Sequence, residues 1–265
     1  MSRLPVRKTY KLFVGGAFPR SESGRTYEAE GQNVARASRK DARDAVVAAR
    51  KAQPGWASAT PYNRGQVLYR LAEMMETRTA DLAAVCSGKK EVEAAIDRVV
   101  WYAGWADKLA QVLGSSNPVS GPYFNFTFPE PTGVVAILAP DEPALGGLVS
   151  RIAPALVGGN AVVVVASETH PVAAIELAEA IATSDVPGGV VNILTGHRDE
   201  LAPILAGHMD VNALDLTGAN GQSPELERLA ADNVKRVVHG SADEQSPWVI
   251  ASFLELKTVW HPIGQ

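Results

Sequence analysis

Five short apolar runs mark the second half of the chain: "GVVAILAP" from Gly133, "AVVVVASE" from Ala161, "GVVNILTG" from Gly189, "VNALDLTG" from Val211 and "NVKRVVHG" from Asn233. Between them lie segments of helical spacing near 144–158, 171–183, 198–206 and 223–231. Continuously apolar strands that alternate with helices predict a parallel sheet covered on both faces. Right-handed crossovers then build an α/β, doubly wound, Rossmann-like domain. Ligands of such sheets bind at the carboxyl ends of the strands. That edge is predicted to present Pro140 to Pro143, Ala166 to Glu168, Thr195-Gly196 and Thr217-Gly218.

Upstream the period is helical. Ser38, with Asp41 three residues on, reads as a capping box, and Ala42, Ala45, Val46 and Ala49 follow on one face until Pro54-Gly55, where the helix is expected to stop. Thr60-Pro61 opens a second helix carrying Val67, Leu68, Leu71, Met74 and Met75. A third is expected from about Glu91 to Leu113, ended by Gly114. Its Trp101, Tyr102 and Trp105 invite comparison with a cofactor box, but aromatics at helical spacing are read as packing surface. At "YFNFTFPEP" the period becomes two. Phe124, Phe126 and Phe128 take one face of a half-buried or edge strand, and Asn125 and Thr127 take the other. After the polar "HGSADEQSP" a last helix is expected over Trp248 to Leu256.

Composition narrows the chemistry. The 265 residues are 46% hydrophobic and 20% charged with a formal net charge of -4, so no basic field exists for nucleic acid. No run of about eighteen apolar residues suggests a membrane span, and the basic N-terminus lacks the apolar core of a secretion signal, so the expected location is cytoplasmic. The single cysteine, Cys86, excludes an internal disulfide, and the five histidines lack metal-binding spacing. Adjacent Asp141-Glu142, even with Asp185 or Asp215, is read as solvated loop charge without a cationic partner rather than as an acid/base pair. Asp215, one residue before an expected strand end, needs a partner that the sequence does not identify.

The chain resembles the aldehyde dehydrogenase superfamily over roughly residues 10–238. The resemblance is carried by "KLFVGGAFPRSESGRTYE", "AQPGW", "PTGVVAILAP", "IAPALVGGNAVVV", "SETHP", "DVPGGVVNILTG" and "LTG", in order. The tail "FLELKTVWHP", residues 253–262, is similar to the family's terminal strand at the subunit interface. The resemblance implies a thiolate nucleophile and a carboxylate base in a catalytic domain between Val238 and Phe253. Only fourteen residues stand there. It places the family's oxyanion asparagine at Glu142, whose negative charge opposes that role, and leaves Cys86 at a helix junction in a structural role.

For the cofactor, NAD or NADP, the resemblance implies a ribose clamp and a phosphate turn. The clamp's lysine–proline–serine–glutamate becomes Val165-Ala166-Ser167-Glu168, which keeps the glutamate and loses the lysine. The turn survives as Thr217-Gly218-Ala219. Losing one charged hydrogen bond costs about 1.5–3 kcal/mol, so any nucleotide is expected to bind weakly through Ser167, Glu168, Thr217 and Gly218. An equal reading of Glu168 is a cap on the helix that opens near Pro171.

The expected organisation is a cofactor-binding-like domain over 1–238, with a hairpin near 122–132 belonging to an oligomerisation arm. A linker over 239–247 replaces the catalytic domain, and 248–265 supplies a helix and an interface strand. The pattern is similar to the degenerate second domain of two-domain family members. The expected role is a non-catalytic subunit that assembles with itself or with a full-length aldehyde dehydrogenase. The alternatives are an NAD(P)-dependent aldehyde oxidoreductase and a weak nucleotide-binding or sensing module.

Overall fold

A computed structural model describes residues 7–264, so the first six and the last residue of the expected segments 1–238 and 248–265 lie outside it. Short strands β1 (Thr9–Tyr10), β2 (Thr26–Ala29) and β3 (Gln32–Ala35) form a small sheet in the order β1-β3-β2. Helix α1 (Arg39–Ser58) starts on the predicted box: the Ser38 hydroxyl accepts from the Lys40 and Asp41 amides, and Asp41 accepts from the Ser38 amide at 2.7 Å. It does not stop at Pro54-Gly55. Trp56 is buried and its Nε1 donates to the Leu156 carbonyl at 3.0 Å, a tertiary anchor that offsets the bond Pro54 cannot donate.

Helix α2 (Pro61–Thr77) has the predicted Thr60 cap, and Leu68, Leu71 and Met75 are buried along it. A short α3 (Thr79–Ala83) was not expected. The single helix expected to Leu113 is two, α4 (Lys89–Ala103) and α5 (Leu109–Leu113). Gly104 caps the first, and tight turns follow in which the Trp105 and Lys108 amides each reach back three residues. Tyr102 is fully buried, with Trp101 edge-on to it at 5.0 Å and Trp105 beside Trp101 at 5.6 Å. These aromatics are packing surface.

The chain continues through β4 (Ser115–Asn117), β5 (Tyr123–Pro131), β6 (Val134–Leu138), α6 (Ala144–Val157), β7 (Ala161–Val165), α7 (Pro171–Ala182), β8 (Val191–Leu194), α8 (Arg198–Ala206), β9 (Ala213–Asp215), α9 (Ser223–Ala231) and β10 (Arg236–Val238). All five predicted parallel strands are present, in the order β10-β9-β6-β7-β8. Every residue of β6, β7, β8 and β9 is buried, which is why the runs read as apolar without alternation. Strand β6 pairs with β7 on one side and β9 on the other, so the order reverses there and the fold has its switch point between β6 and β9. Asp215 ends β9 fully buried, and its missing partner is Arg151 of α6, with Nε 2.7 Å from the carboxylate.

Residues 239–247 are tied down by α4: Arg98 Nη1 donates to the Ala242 carbonyl at 2.8 Å. Helix α10 (Pro247–Ala251) is shorter than expected, because β11 (Leu254–Pro262) takes over the residues up to Leu256. Strand β11 pairs antiparallel with β5 from Leu254–Pro131 to Pro262–Tyr123. Strand β5 is therefore the middle of a sheet ordered β11-β5-β4, not an edge strand. Its polarity is inverted for a lone chain: Asn125 is 2% exposed and Phe124 is 49% exposed.

Candidate functional site

The carboxyl ends of the central strands open on a polar cleft of about 540 Å³. It is lined by four carboxylates, Asp141, Glu168, Asp199 and Glu200, against two guanidinium groups, Arg36 and Arg198. Asp141 follows β6, Glu168 follows β7, and Arg198 opens α8 after β8, so the parallel sheet brings together side chains far apart in sequence. Arg198 is the keystone. Its Nη2 donates to the Ala139 carbonyl at 2.9 Å and to Asp141 at 3.0 Å, so the guanidinium lies across the end of β6. Asp141 also accepts from Ser167 Oγ at 2.8 Å and from Asn220 Nδ2 at 2.7 Å, which joins the two sides of the switch point.

The loop carboxylate read as solvated thus has a cationic partner. Burial works to raise the Asp141 pKa, but the bonds from Arg198, Asn220 and Ser167 outweigh it and hold the carboxyl below its ordinary value. Its contribution to stability is complete above the unfolded carboxylate value and is lost as pH falls through the lower folded one. In Arg198→Ala, the stability lost relative to the parent is therefore expected to be full at neutral pH and to shrink on acidification. Urea midpoints of both proteins across the acid range read this; a pH-independent difference would refute it.

Helix N-termini at this edge could hold phosphate oxygens, since their first amides are unpaired within the helix. Here the chain fills those of α6, α7 and α8 itself, while α9 carries no side-chain cap. Glu91 of α4 accepts from the Leu145 and Gly146 amides of α6 at 2.7 and 3.0 Å. Burial raises the Glu91 pKa, and the Gly146, Ser87 and Leu145 amides overcome this and lower it. Glu30 receives the Val172 amide of α7 at 3.4 Å, and Glu168 receives the Arg198 amide of α8 at 2.5 Å. Glu168 therefore caps α8, not the helix at Pro171, because β8 ends beside β7 and delivers α8 within its reach. His197 adds a contact to Glu168 at 3.3 Å.

The other expected nucleotide contacts are also engaged internally. Ser167 Oγ donates to Asp141 and accepts from the His170 amide at 3.1 Å. Thr217 Oγ1 donates to Asp215 at 2.6 Å, and the Thr217 amide reaches the same carboxylate at 2.9 Å. A side chain at Gly218 would run into the Ala139 carbonyl, so glycine there serves the close approach of two backbones. Val165 is fully buried. With carboxylates on the first amides of α6, α7 and α8 and four carboxylates on its walls, the cleft opposes a pyrophosphate at those three helix starts, while the start of α9 carries no side-chain cap. The residues that decide this, Glu30, Glu91 and Arg198, carry no local sequence signal: Glu91 lies 54 positions from its partner Leu145 and Arg198 lies 57 from Asp141.

No thiol serves this cleft. Cys86 is half-buried below α4, and burial, with the neighbouring Glu91 charge, pushes its pKa up to about 11. At neutral pH this leaves about a hundredfold less thiolate than in an unfolded chain. Iodoacetamide labelling is expected to be slower in the native protein by that order, and equal native and denatured rates would contradict the assignment. Glu142, aligned with the oxyanion asparagine, is exposed and pairs with His170 at 2.9 Å. Among the described residues no cluster of three or more His, Cys, Asp or Glu could hold a metal ion, and no helix is long and apolar enough to cross a membrane.

A family-wide sequence model described as "Aldehyde dehydrogenase family" matches residues 25–260. The chain belongs to the aldehyde dehydrogenase family. Retinal dehydrogenase 2 of Mus musculus is 34% identical over 251 residues, covering 87% of this chain and 48% of its own length. The solved structure of HpcC from Thermus thermophilus superposes with a TM-score of 0.83 at 29% identity, over 88% of this chain and 48% of its own. An aldehyde dehydrogenase from Bacillus cereus, solved as an NAD+ complex, gives 0.78 at 26% identity over 87% of this chain and 50% of its own. The chain spans about half the length of the relatives it matches.

Proposed function

We propose that this chain is a non-catalytic member of the aldehyde dehydrogenase family that acts in assembly, either with itself or with a full-length aldehyde dehydrogenase whose oligomer it completes or regulates. The observation that carries this reading is the unpartnered β11-β5-β4 sheet. Trp260 is 59% exposed, Leu256 and Phe124 are also open to solvent, and Phe124, Phe126 and Phe128 stack in an apolar row. The outer edge of β11 offers a nine-residue run of backbone for pairing. A long strand edge flanked by exposed aromatics calls for another chain to cover it. The reading is further supported by the raised Cys86 pKa, by the negative charge at Glu142 and by the self-capped cleft.

The test is purification under native conditions, alone and co-expressed with a full-length family member, followed by light scattering and aldehyde oxidation assays. The expected result is an oligomer, or a stable complex with the full-length enzyme, and no turnover by this chain alone with NAD or NADP. A lone monomer in both preparations would refute the assembly role. Turnover that disappears in Cys86→Ser would establish the aldehyde oxidoreductase in its place. Calorimetric titration with NAD and NADP separates the nucleotide-sensing alternative, for which binding near millimolar ligand would be required.

A further inference from the structure

Asn220 closes the cleft at the switch point, and it is the one of nine asparagines that is followed by glycine. It sits exposed in the turn after β9 with φ +47°, and Gly221 follows at φ +89° with nothing within 4 Å of where a Cβ would stand. Glycine leaves its own backbone nitrogen unshielded and lets the turn rotate. The Asn220 side chain meanwhile serves the cleft directly, since its Nδ2 donates to Asp141 Oδ2 at 2.7 Å, on the carboxylate that holds Arg198 across the end of β6.

We propose that Asn220–Gly221 is a self-modification site, at which spontaneous deamidation replaces the amide donor to Asp141 with a carboxylate and loosens the Arg198 lock. In the first step the Gly221 backbone nitrogen loses its proton to solvent and attacks Cγ of Asn220. A C–N bond forms, the bond from Cγ to Nδ2 breaks, and that nitrogen leaves as ammonia after taking up a proton. Water then opens the five-membered imide at either carbonyl, giving aspartate or isoaspartate. The net change is amide plus water to carboxylate plus ammonium, with no oxidant or reductant. It is independent of whether the chain has a catalytic role.

The consequence follows from charge. A neutral donor becomes an anion beside Asp141, in a cleft where four carboxylates already face two guanidinium groups. Neighbouring carboxylates disfavour joint ionisation, and a second carboxylate competes for Arg198. Arg198 also opens α8, so the first turn of that helix should lose protection as the lock loosens.

The full chain is aged in mildly alkaline buffer and sampled by peptide mapping with isoaspartate detection, alongside hydrogen exchange. Asn63, exposed on α2 and followed by arginine, is the internal control. Asn220 is expected to convert first, with Asn63 unchanged over the same interval. Exchange protection at the start of α8 should fall in the aged chain and in fresh Asn220→Asp, and should hold in Asn220→Gln aged in parallel. Conversion of Asn220 no faster than that of Asn63 overturns the site. Conversion, or Asn220→Asp, with full α8 protection overturns the coupling to the lock.

Discussion

Arg151→Ala is expected to destabilise the chain by about 3–5 kcal/mol, because it leaves the Asp215 carboxylate buried without its partner. Arg151 is 1% exposed and Asp215 is 0% exposed, the guanidinium Nε lies 2.7 Å from the carboxylate, and the Phe253 ring stacks 5.5 Å from its centre. Water cannot reach the orphaned charge without opening the sheet end that Thr217 also holds through Asp215. Urea unfolding followed by circular dichroism measures the loss. The paired variant Arg151→Met with Asp215→Leu removes both charges and should recover most of it. A loss under about 1 kcal/mol in the single variant, or a double variant no more stable than the single, would show that the pair is not what holds this region.

Trp56→Ala carries the second large effect, about 3–5 kcal/mol for deleting a buried aromatic. The indole is buried against the central layer and donates to the Leu156 carbonyl at the end of α6, so its loss combines a cavity with a lost tertiary hydrogen bond, the carbonyl keeping the Gly159 amide at 2.9 Å. Trp56→Phe keeps most of the volume and removes the donor, and is expected to cost nearer 1–2 kcal/mol. The ratio of the two losses separates packing from hydrogen bonding. If both variants unfold at the parent's urea concentration, the last turn of α1 is not anchored through this residue.

Trp56 also explains one limit of reading the chain alone. Pro54-Gly55 is a sound local stop signal, and the helix runs through it to Ser58 because a contact a hundred positions away holds its last turn. The same holds at Gly104, where the long apolar stripe of α4 continues on paper while the backbone turns tightly toward α5. By contrast the capping box at Ser38 and the proline start at Pro61 were legible, because the bonds that cap these helices span only two or three residues.

The sequence by itself determined the doubly wound sheet and the family. A strand buried on both faces must be apolar throughout, and motifs that close turns between strand and helix keep their order. It also placed Ser167, Glu168, Thr217 and Gly218 at one edge of the sheet, since strand ends fix the edge. Only the tertiary structure decided what those residues do there. Hydrogen-bond partners are chosen by proximity across the sheet, not along the chain, so Glu168 goes to α8, Thr217 to Asp215 and Ser167 to Asp141. The same proximity gave Asp141 its Arg198, gave Asp215 its Arg151, and set carboxylates on the first turns of α6, α7 and α8, where an incoming phosphate would need free amides.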